Sequence, residues 1–417
     1  MYTIENRAIP SVVDGAKPVQ RKLLYAMLNE HHGKKTKISD LSGISRHGYN
    51  HGEASAADAA VKMAQSWSNN VPLFEGHGNF GSRLVPEAAA PRYIYASLSK
   101  EFHQYFIDFE VCPKNNDPDN PEPLHYLPII PWVLVNGIKG IAVGFATNIL
   151  PRSPVTLVEQ CQKYLRGEEI DPVIIPSFPS FRGHVIHVGD NKFKTVGIVE
   201  SNGSRGYTIT ELPVGYDREQ YIELLCGLVD DQKISDFQDM CSKDGFKFII
   251  KANRSQREVI DKVGMIKTFG LETSFSENLT TLDAQGKLRV FQNTSELIKY
   301  FCDYRLKKFD DKIQYDSDAC CDRIDFLEDK IKFIQAVIDN TVDFRKTSKK
   351  QLLDFIVSNI TKADYGQKFI SIPLYECTTD LVEQLRDEIV KLRKRLVALS
   401  KTTAKKIFTT NLDKVNK

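Results

Sequence analysis

The sequence predicts an α+β, multidomain chain, and three observations carry that prediction. At 417 residues the chain exceeds what one ordinary domain holds. Its texture changes twice: helical and small-residue-rich to about Asp108, Gly/Pro-punctuated with β-type runs from Phe109 to Arg289, then charged and helical. The last region also carries a heptad rhythm, with Cys320, Ile324, Leu327, Ile331, Ile334 and Ile338 spaced four, three, four, three, four. The expected domains are therefore residues 1–108, 109–289 and 290–417.

Within the first region, "KPVQRKLLYAMLNE" places Pro18 where a first helical turn tolerates it, and Val19, Leu23, Ala26 and Met27 follow at helical spacing. After a break at Gly43, an alanine-rich helix is expected from about Glu53 to Trp67. A glycine-broken stretch then ends in the alternating run around "RYIYASL", which reads as a hairpin with Tyr93 and Tyr95 on one strand face. Two helices and a hairpin make a winged-helix module, a common way of setting a helix into a DNA groove. In the last region Leu381, Leu385, Ile389, Leu392, Leu396 and Leu399 repeat the heptad rhythm, so two long antiparallel arms are expected. The residues between them, about 339–380, are enough for a small globule at the tip.

Composition narrows the function. Lys plus Arg total 56 against 54 Asp plus Glu, a net charge of +2, so any nucleic-acid role requires basic residues gathered on one face. No run of 18 apolar residues and no charged-then-apolar leader pattern is visible, so neither a membrane span nor secretion is expected. Eight cysteines without a C-x-x-C pair read as reduced structural thiols. There is no G-x-x-x-x-G-K-[ST] loop, and the D-x-D triplets at Asp117 and Asp316 lie in a Pro/Asn loop and on a helix, where i and i+2 point apart; no metal site is expected here. Gly137, Gly140 and Gly144 read as turn residues.

Tyr93 follows Arg92, and an arginine can hold phosphate oxygens bidentately beside an attacking phenol. Lys17 and Arg21 flank the first helix, Lys37 opens the second pattern, and Arg46, His47 and His51 precede the alanine-rich helix, with Gly52 allowing close backbone approach to a phosphate. Ile149, before Pro151, is either a buried strand residue or an apolar wedge.

Five ordered stretches, "MYTIENRAIPSVVDGAKPVQRKLLYAM", "HGYNHGEAS", "GHGNFGSR", "AAAPRYIYA" and "LVNGIKGIAVGFATNILP", resemble the breakage-reunion part of type IIA DNA topoisomerases, the gyrase A-type and the medium-subunit type of T-even phages among them. The resemblance implies a winged-helix DNA gate over residues 1–108, a tower-like α/β domain over 109–289, and a coiled coil ending in a dimerising C-gate. It implies that Tyr93 is the nucleophile forming a 5′-phosphotyrosine link, with Arg92, His51 and Arg21 in the catalytic site. It further implies that Lys37, in the K-x-x-x-L-x-G pattern, and Ile149 contact DNA, alongside Lys17 and Arg46. Because "GYNHG" departs from the family's paired histidines, only His51 carries over and His47 stays unassigned. The implied partners are double-stranded DNA, a second copy of the chain and an ATPase-Toprim large subunit. That partner would hold the Mg2+ ligands and use the ATP, in the cytoplasm of a phage-infected bacterium. The rival reading is a winged-helix DNA-binding protein that dimerises through its coil and cuts nothing.

Overall fold

The computed structural model describes residues 7–203, 206–339, 341, 347–359 and 368–415, without the side chains of Arg46, Asn359 and Leu374. The chain forms two compact units, residues 1–305 with 409–417, and residues 306–408.

The first unit opens on α1 (Pro18–Tyr25). Pro18 supplies a preset φ at the first helical position, and the Gln20 carboxamide accepts the Lys17 amide at 2.9 Å. Gly15, at φ 64°, precedes it because a Cβ there would lie 2.5 Å from the Val133 nitrogen. The short α2 (Ile38–Leu41) and α3 (Glu53–Ala64) follow. Ala56, Ala57, Ala60 and Ala64 form the buried face of α3, and their small side chains permit close approach of neighbouring backbone. The helix stops at Ala64 rather than Trp67, because Gln65 turns extended and both its carboxamide and the Trp67 indole bond the Phe80 carbonyl, each at 3.1 Å. A three-stranded antiparallel sheet completes the winged-helix arrangement: β1 (Thr36–Lys37), β2 (Phe74–His77) and β3 (Tyr95–Leu98), in the order β1-β3-β2.

Short helices α4 (Phe102–Tyr105) and α5 (Trp132–Val135) lead to a two-stranded hairpin, β4 (Ile138–Ala142) and β5 (Phe145–Ile149). Its pairs run from Ile138 opposite Ile149 to Ala142 opposite Phe145, leaving a Val143–Gly144 loop. Gly144 supplies the positive φ of that turn, and Gly137 has φ 64°. Gly140, expected in a turn, instead lies within β4, where a Cβ would sit 2.0 Å from the Ala8 carbonyl oxygen.

After α6 (Pro154–Arg166) come β6 (His184–Gly189), β7 (Lys192–Val196), β8 (Ile198–Ser201), β9 (Tyr207–Glu211), α7 (Arg218–Asp230), β10 (Asp236–Asp239), β11 (Phe248–Lys251), α8 (Arg254–Val263), α9 (Met265–Thr268) and β12 (Glu272–Ser276). The strands form two antiparallel sheets, β10-β11-β9-β8 and β12-β7-β6. One face of the four-stranded sheet buries Tyr207, Ile209, Phe248 and Ile250 against Tyr221 and Leu225 of α7 and Phe269. Full capping boxes, Asp217 with Gln220 and Asn253 with Gln256, start α7 and α8. A last hairpin, β13 (Leu279–Leu282) with β14 (Leu288–Phe291), precedes the long α10 (Thr294–Ile338).

In the second unit the distal part of α10 packs against α11 (Lys349–Asn359) and α12 (Thr379–Ser400); α13 (Ala404–Val415) follows, its residues from Thr409 on belonging to the first unit. The seam buries Ile324, Leu327 and Ile334 against Val382, Leu385 and Ile389, with Leu352, Ile356 and Phe369 closing it. Ile331, Ile338, Leu381, Leu392 and Leu396 are only half-buried at its flanks. Ion pairs Arg323–Glu388 at 2.9 Å and Arg393–Glu328 at 2.7 Å cross between the arms. Most of the tip expected at about 339–380 divides between α11 and residues outside the described ones. No helix among the described residues is long and apolar enough to cross a membrane.

Candidate nucleic-acid interface and catalytic tyrosine

Tyr93 is not on a strand. It ends a turn over Pro91–Tyr93 whose closing bond runs from its amide to the Ala90 carbonyl at 2.9 Å, and β3 begins two residues later. The preceding alanines thread beside the glycine loop, with the Ala89 amide bonded to the Asn79 carbonyl at 2.9 Å. Gly81 has no room for a Cβ, which would lie 2.3 Å from the Pro86 carbonyl oxygen. Ile94 is buried behind the turn, and its carbonyl accepts the Ile38 amide, so the turn is pinned to α2. The Tyr93 phenol therefore stands out from a fixed base, 67% exposed, with the Arg92 guanidinium 4.8 Å from its ring centroid. Tyr95 lies in β3 under the Lys35 ammonium, in register with Lys37 on β1 and His77 on β2.

Arg21 and His51 line one polar cavity of about 720 Å³, together with Lys22, Tyr49, Asn120 and Glu122. Arg21 is held by the buried Asp14 carboxylate at 2.7 Å and donates to the Ala16 carbonyl at 2.7 Å. Lys22, its neighbour, is buried against Glu122 at 2.7 Å and donates to the His47 carbonyl and the Asn120 carboxamide. His47 pairs with Glu30 at 2.7 Å and packs edge-on against Tyr25, so its surroundings give it a packing role. His51 sits just before α3, edge-on to Tyr49.

A second cleft, about 770 Å³, gathers Arg7, Lys17, Lys62 and Lys139 against a single lining carboxylate, Asp58. Lys17 donates to the Lys139 carbonyl at 2.6 Å, and its pKa is pushed below the usual lysine value by burial and, secondarily, by Lys62. Four cations concentrated in a nearly neutral chain match a phosphate backbone. Tyr49 lines both cavities, whereas Tyr93 and Arg92 line neither. Lys37 stands apart on the small sheet, and the Arg46 side chain lies outside the described residues.

Sequence reasoning missed Arg7, Lys62 and Lys139. They are distant along the chain and belong to no common pattern; only the odd lysine inside "GIKGIAVG" could have drawn attention. Ile149, expected to contact DNA, is 2% exposed and paired with Ile138 at the base of the hairpin. The apolar side chains at the free end are Ile141 and Val143, 87% and 85% exposed.

Comparison with known proteins places this geometry. The family pattern of the DNA gyrase/topoisomerase IV A-subunit matches residues 7–414. The DNA topoisomerase medium subunit of Enterobacteria phage T4 is 36% identical over 415 residues, covering 97% of this chain and 92% of that protein. A mitochondrial DNA topoisomerase 2 of Dictyostelium discoideum is 29% identical over 98% of this chain, which spans 33% of that protein's length. A crystal structure of the Plasmodium falciparum topoisomerase II DNA-binding, cleavage and re-ligation domain superposes with a TM-score of 0.89 at 27% identity, covering 98% of this chain and 61% of that one. Matched along almost its whole length, the chain belongs to the DNA gyrase/topoisomerase IV A-subunit family and is a breakage-reunion subunit of a type II DNA topoisomerase.

Proposed function

We propose that Tyr93 is the nucleophile of this chain and that two copies grip one duplex, each cutting one strand. The observation that carries this reading is the exposed phenol beside Arg92, on a turn pinned from behind by Ile94. The phenol gives its proton to water as its oxygen attacks phosphorus; the bond to the 3′ oxygen breaks and that oxygen takes a proton from water, leaving a 5′-phosphotyrosyl bond and a free 3′ hydroxyl. Reversal restores the strand without a nucleotide, since the phosphodiester energy is kept in the covalent link. Arg92 balances the charge on the phosphate, and Arg21 and His51 complete the site. The Arg7, Lys17, Lys62 and Lys139 cleft, with Lys37 and Arg46, holds the duplex backbone.

The resemblance to type IIA enzymes supports Mg2+ being held by an ATPase-Toprim partner, which also uses the ATP. The T4 relative's name, a medium subunit, supports such a multi-subunit enzyme, working in the cytoplasm of an infected bacterium. The domain division is a winged-helix DNA gate over residues 1–108, a tower over 109–289 and a coiled coil with C-gate over 290–417.

The test is detergent trapping of covalent adducts on end-labelled duplex, with chain and partner together. Label retained on protein through the 5′ end, at Tyr93 by peptide mapping, is expected. A chain that binds duplex but yields no adduct is a DNA-binding dimer instead. Arg92→Ala should slow single-turnover cleavage by roughly 10², the usual effect of losing one donor to a developing oxyanion worth ~3 kcal/mol; unchanged cleavage removes Arg92 from the site.

Ile149 is the proposed wedge. Inserting it between base steps bends the duplex toward the protein, and unstacking is offset by added phosphate contacts. Losing ~2 kcal/mol of that support in Ile149→Ala should lower cleavage about 30-fold while leaving initial capture nearly intact. Energy transfer between dyes at the duplex ends reads the bend, and an unaltered angle would remove the wedge.

A further inference from the structure

The first three turns of α10 are set inside the first unit, and an ion pair closes that socket. Leu297, Ile298, Phe301, Cys302 and Arg305 form one stripe along the helix, each 0% exposed. The first four are apolar and the last is a cation. Arg305 is also the last residue of α10 that belongs to the first unit; from Leu306 the same helix continues in the second. Its guanidinium meets the Asp108 carboxylate at 2.9 Å, with the Asp108 side chain itself only 10% exposed.

Asp108 has φ 60° and ψ 40°, the left-handed region that residues other than glycine seldom occupy. Its carbonyl accepts the Val111 amide at 3.1 Å, which fixes the turn. It lies fifteen residues after Tyr93, and the chain between the two is firmly seated. The strand β3 is central in its sheet, and Phe102 of α4 is fully buried and stacks on Phe106 with ring centroids 4.8 Å apart. A stiff path therefore leads from the tyrosine turn to the point where α10 leaves the first unit.

A buried ion pair is a poor choice for stability alone, because desolvation offsets the attraction and apolar residues of similar volume often serve as well. At the end of an apolar stripe it supplies direction, since a hydrogen-bonded charge pair holds one angle where apolar contacts permit sliding. The left-handed aspartate adds a second cost at the same joint, as strained backbone does where function demands it.

We propose that Arg305 and Asp108 are positioning residues for strand passage, pinning the root of the arm to the segment that follows the tyrosine turn, so that parting of the cut duplex ends moves the arms. This rests on the reading of the arms as the C-gate. Neither residue lines the catalytic cavity or the cationic cleft; both act through α10.

The experiment compares three forms of the full chain, each assembled with its ATPase-Toprim partner: the paired Arg305→Met with Asp108→Asn, Arg305→Lys, and Leu327→Asp. Melting temperature, trapped adducts, decatenation and ATP consumed per passage are read on each. Asparagine tolerates left-handed backbone, so the paired variant removes both charges and keeps the turn. Its melting temperature and adduct yield should stay near those of the parent. Decatenation should fall about tenfold, within the usual range of coupling between distant sites, and ATP consumed per passage should rise to match. A pair that merely stabilises would lower the melting temperature and reduce cleavage and decatenation together, which overturns the proposal, as does a folded paired variant with parental decatenation and ATP use. Should the paired variant not fold, Arg305→Lys, which keeps the charge and lacks the planar fork, decides on the same readouts. Leu327→Asp separates the layers: decatenation that survives melting of the second unit removes the C-gate reading, whereas decatenation lost there and kept in both Arg305 variants removes only the positioning role.

Discussion

Tyr93→Phe is expected to eliminate the covalent protein–DNA adduct altogether while duplex binding stays within about twofold, since a single solvated hydroxyl contributes little to capture. The substitution removes one oxygen from a ring that is 67% exposed and leaves the Arg92 contact, the Pro91–Tyr93 turn and the buried Ile94 in place. No fold change can then be blamed for the loss. The neighbouring phenol cannot substitute, because Tyr95 is held in β3 beneath Lys35 and faces along the row of Lys37 and His77. Adducts at parental yield in the variant, mapped by mass spectrometry of the trapped peptide, would transfer the nucleophile elsewhere. Adducts in Tyr93→Phe that vanish only in Tyr95→Phe would name the replacement.

Leu327→Asp should produce the largest structural effect. Leu327 is fully buried in the seam of the second unit, and aspartate is too short to reach solvent from there. An unpaired carboxylate in an apolar seam costs about 3–5 kcal/mol, enough to melt a small helical unit at working temperature. The first unit has its own cores, so calorimetry should show one transition lost or lowered and the other kept. Duplex cleavage should persist and strand passage should collapse if, as proposed, the arms form the C-gate and stand apart from the cutting site. Leu392→Lys, by contrast, should do little, as Leu392 is half-buried and a lysine stem can extend to water. Decatenation at parental rates in a Leu327→Asp chain with a melted second unit would remove the gate role from residues 306–408.

The heptad residues were legible because a seam is a local periodicity, and the structure buries Ile324, Leu327, Ile334, Leu385 and Ile389 as spacing requires. Spacing could not say which of them lie deepest, since Val382 and Phe369 come from off-register positions to complete the core. The turn at Tyr93 was legible as a cation beside a phenol, but not as a turn, since "RYIYASL" alternates like a strand and its first residues are diverted by the bond to Ala90. The cationic cleft was illegible because Arg7, Lys17, Lys62 and Lys139 meet only through tertiary packing.

The hairpin glycines imply a depletion profile for any library that samples this segment. At Gly137 a Cβ would meet the Ile149 carbonyl oxygen at 2.4 Å, and at Gly140 the Ala8 carbonyl oxygen at 2.0 Å. Both obstacles are backbone, which cannot step aside, so every replacement at either position should vanish under selection for folded protein alone. Gly144 differs: it has φ 79° and no neighbour within 4 Å of a Cβ. Asn and Asp, which tolerate that left-handed backbone, should survive there while β-branched residues do not. Positions 141 and 143, 87% and 85% exposed, should be permissive when the screen reads folding, and any restriction there when it reads topoisomerase activity marks use instead of architecture. The contrast between two selections on one stretch of eight residues, 137–144, would thus separate residues kept for architecture from residues kept for use, without any purified enzyme.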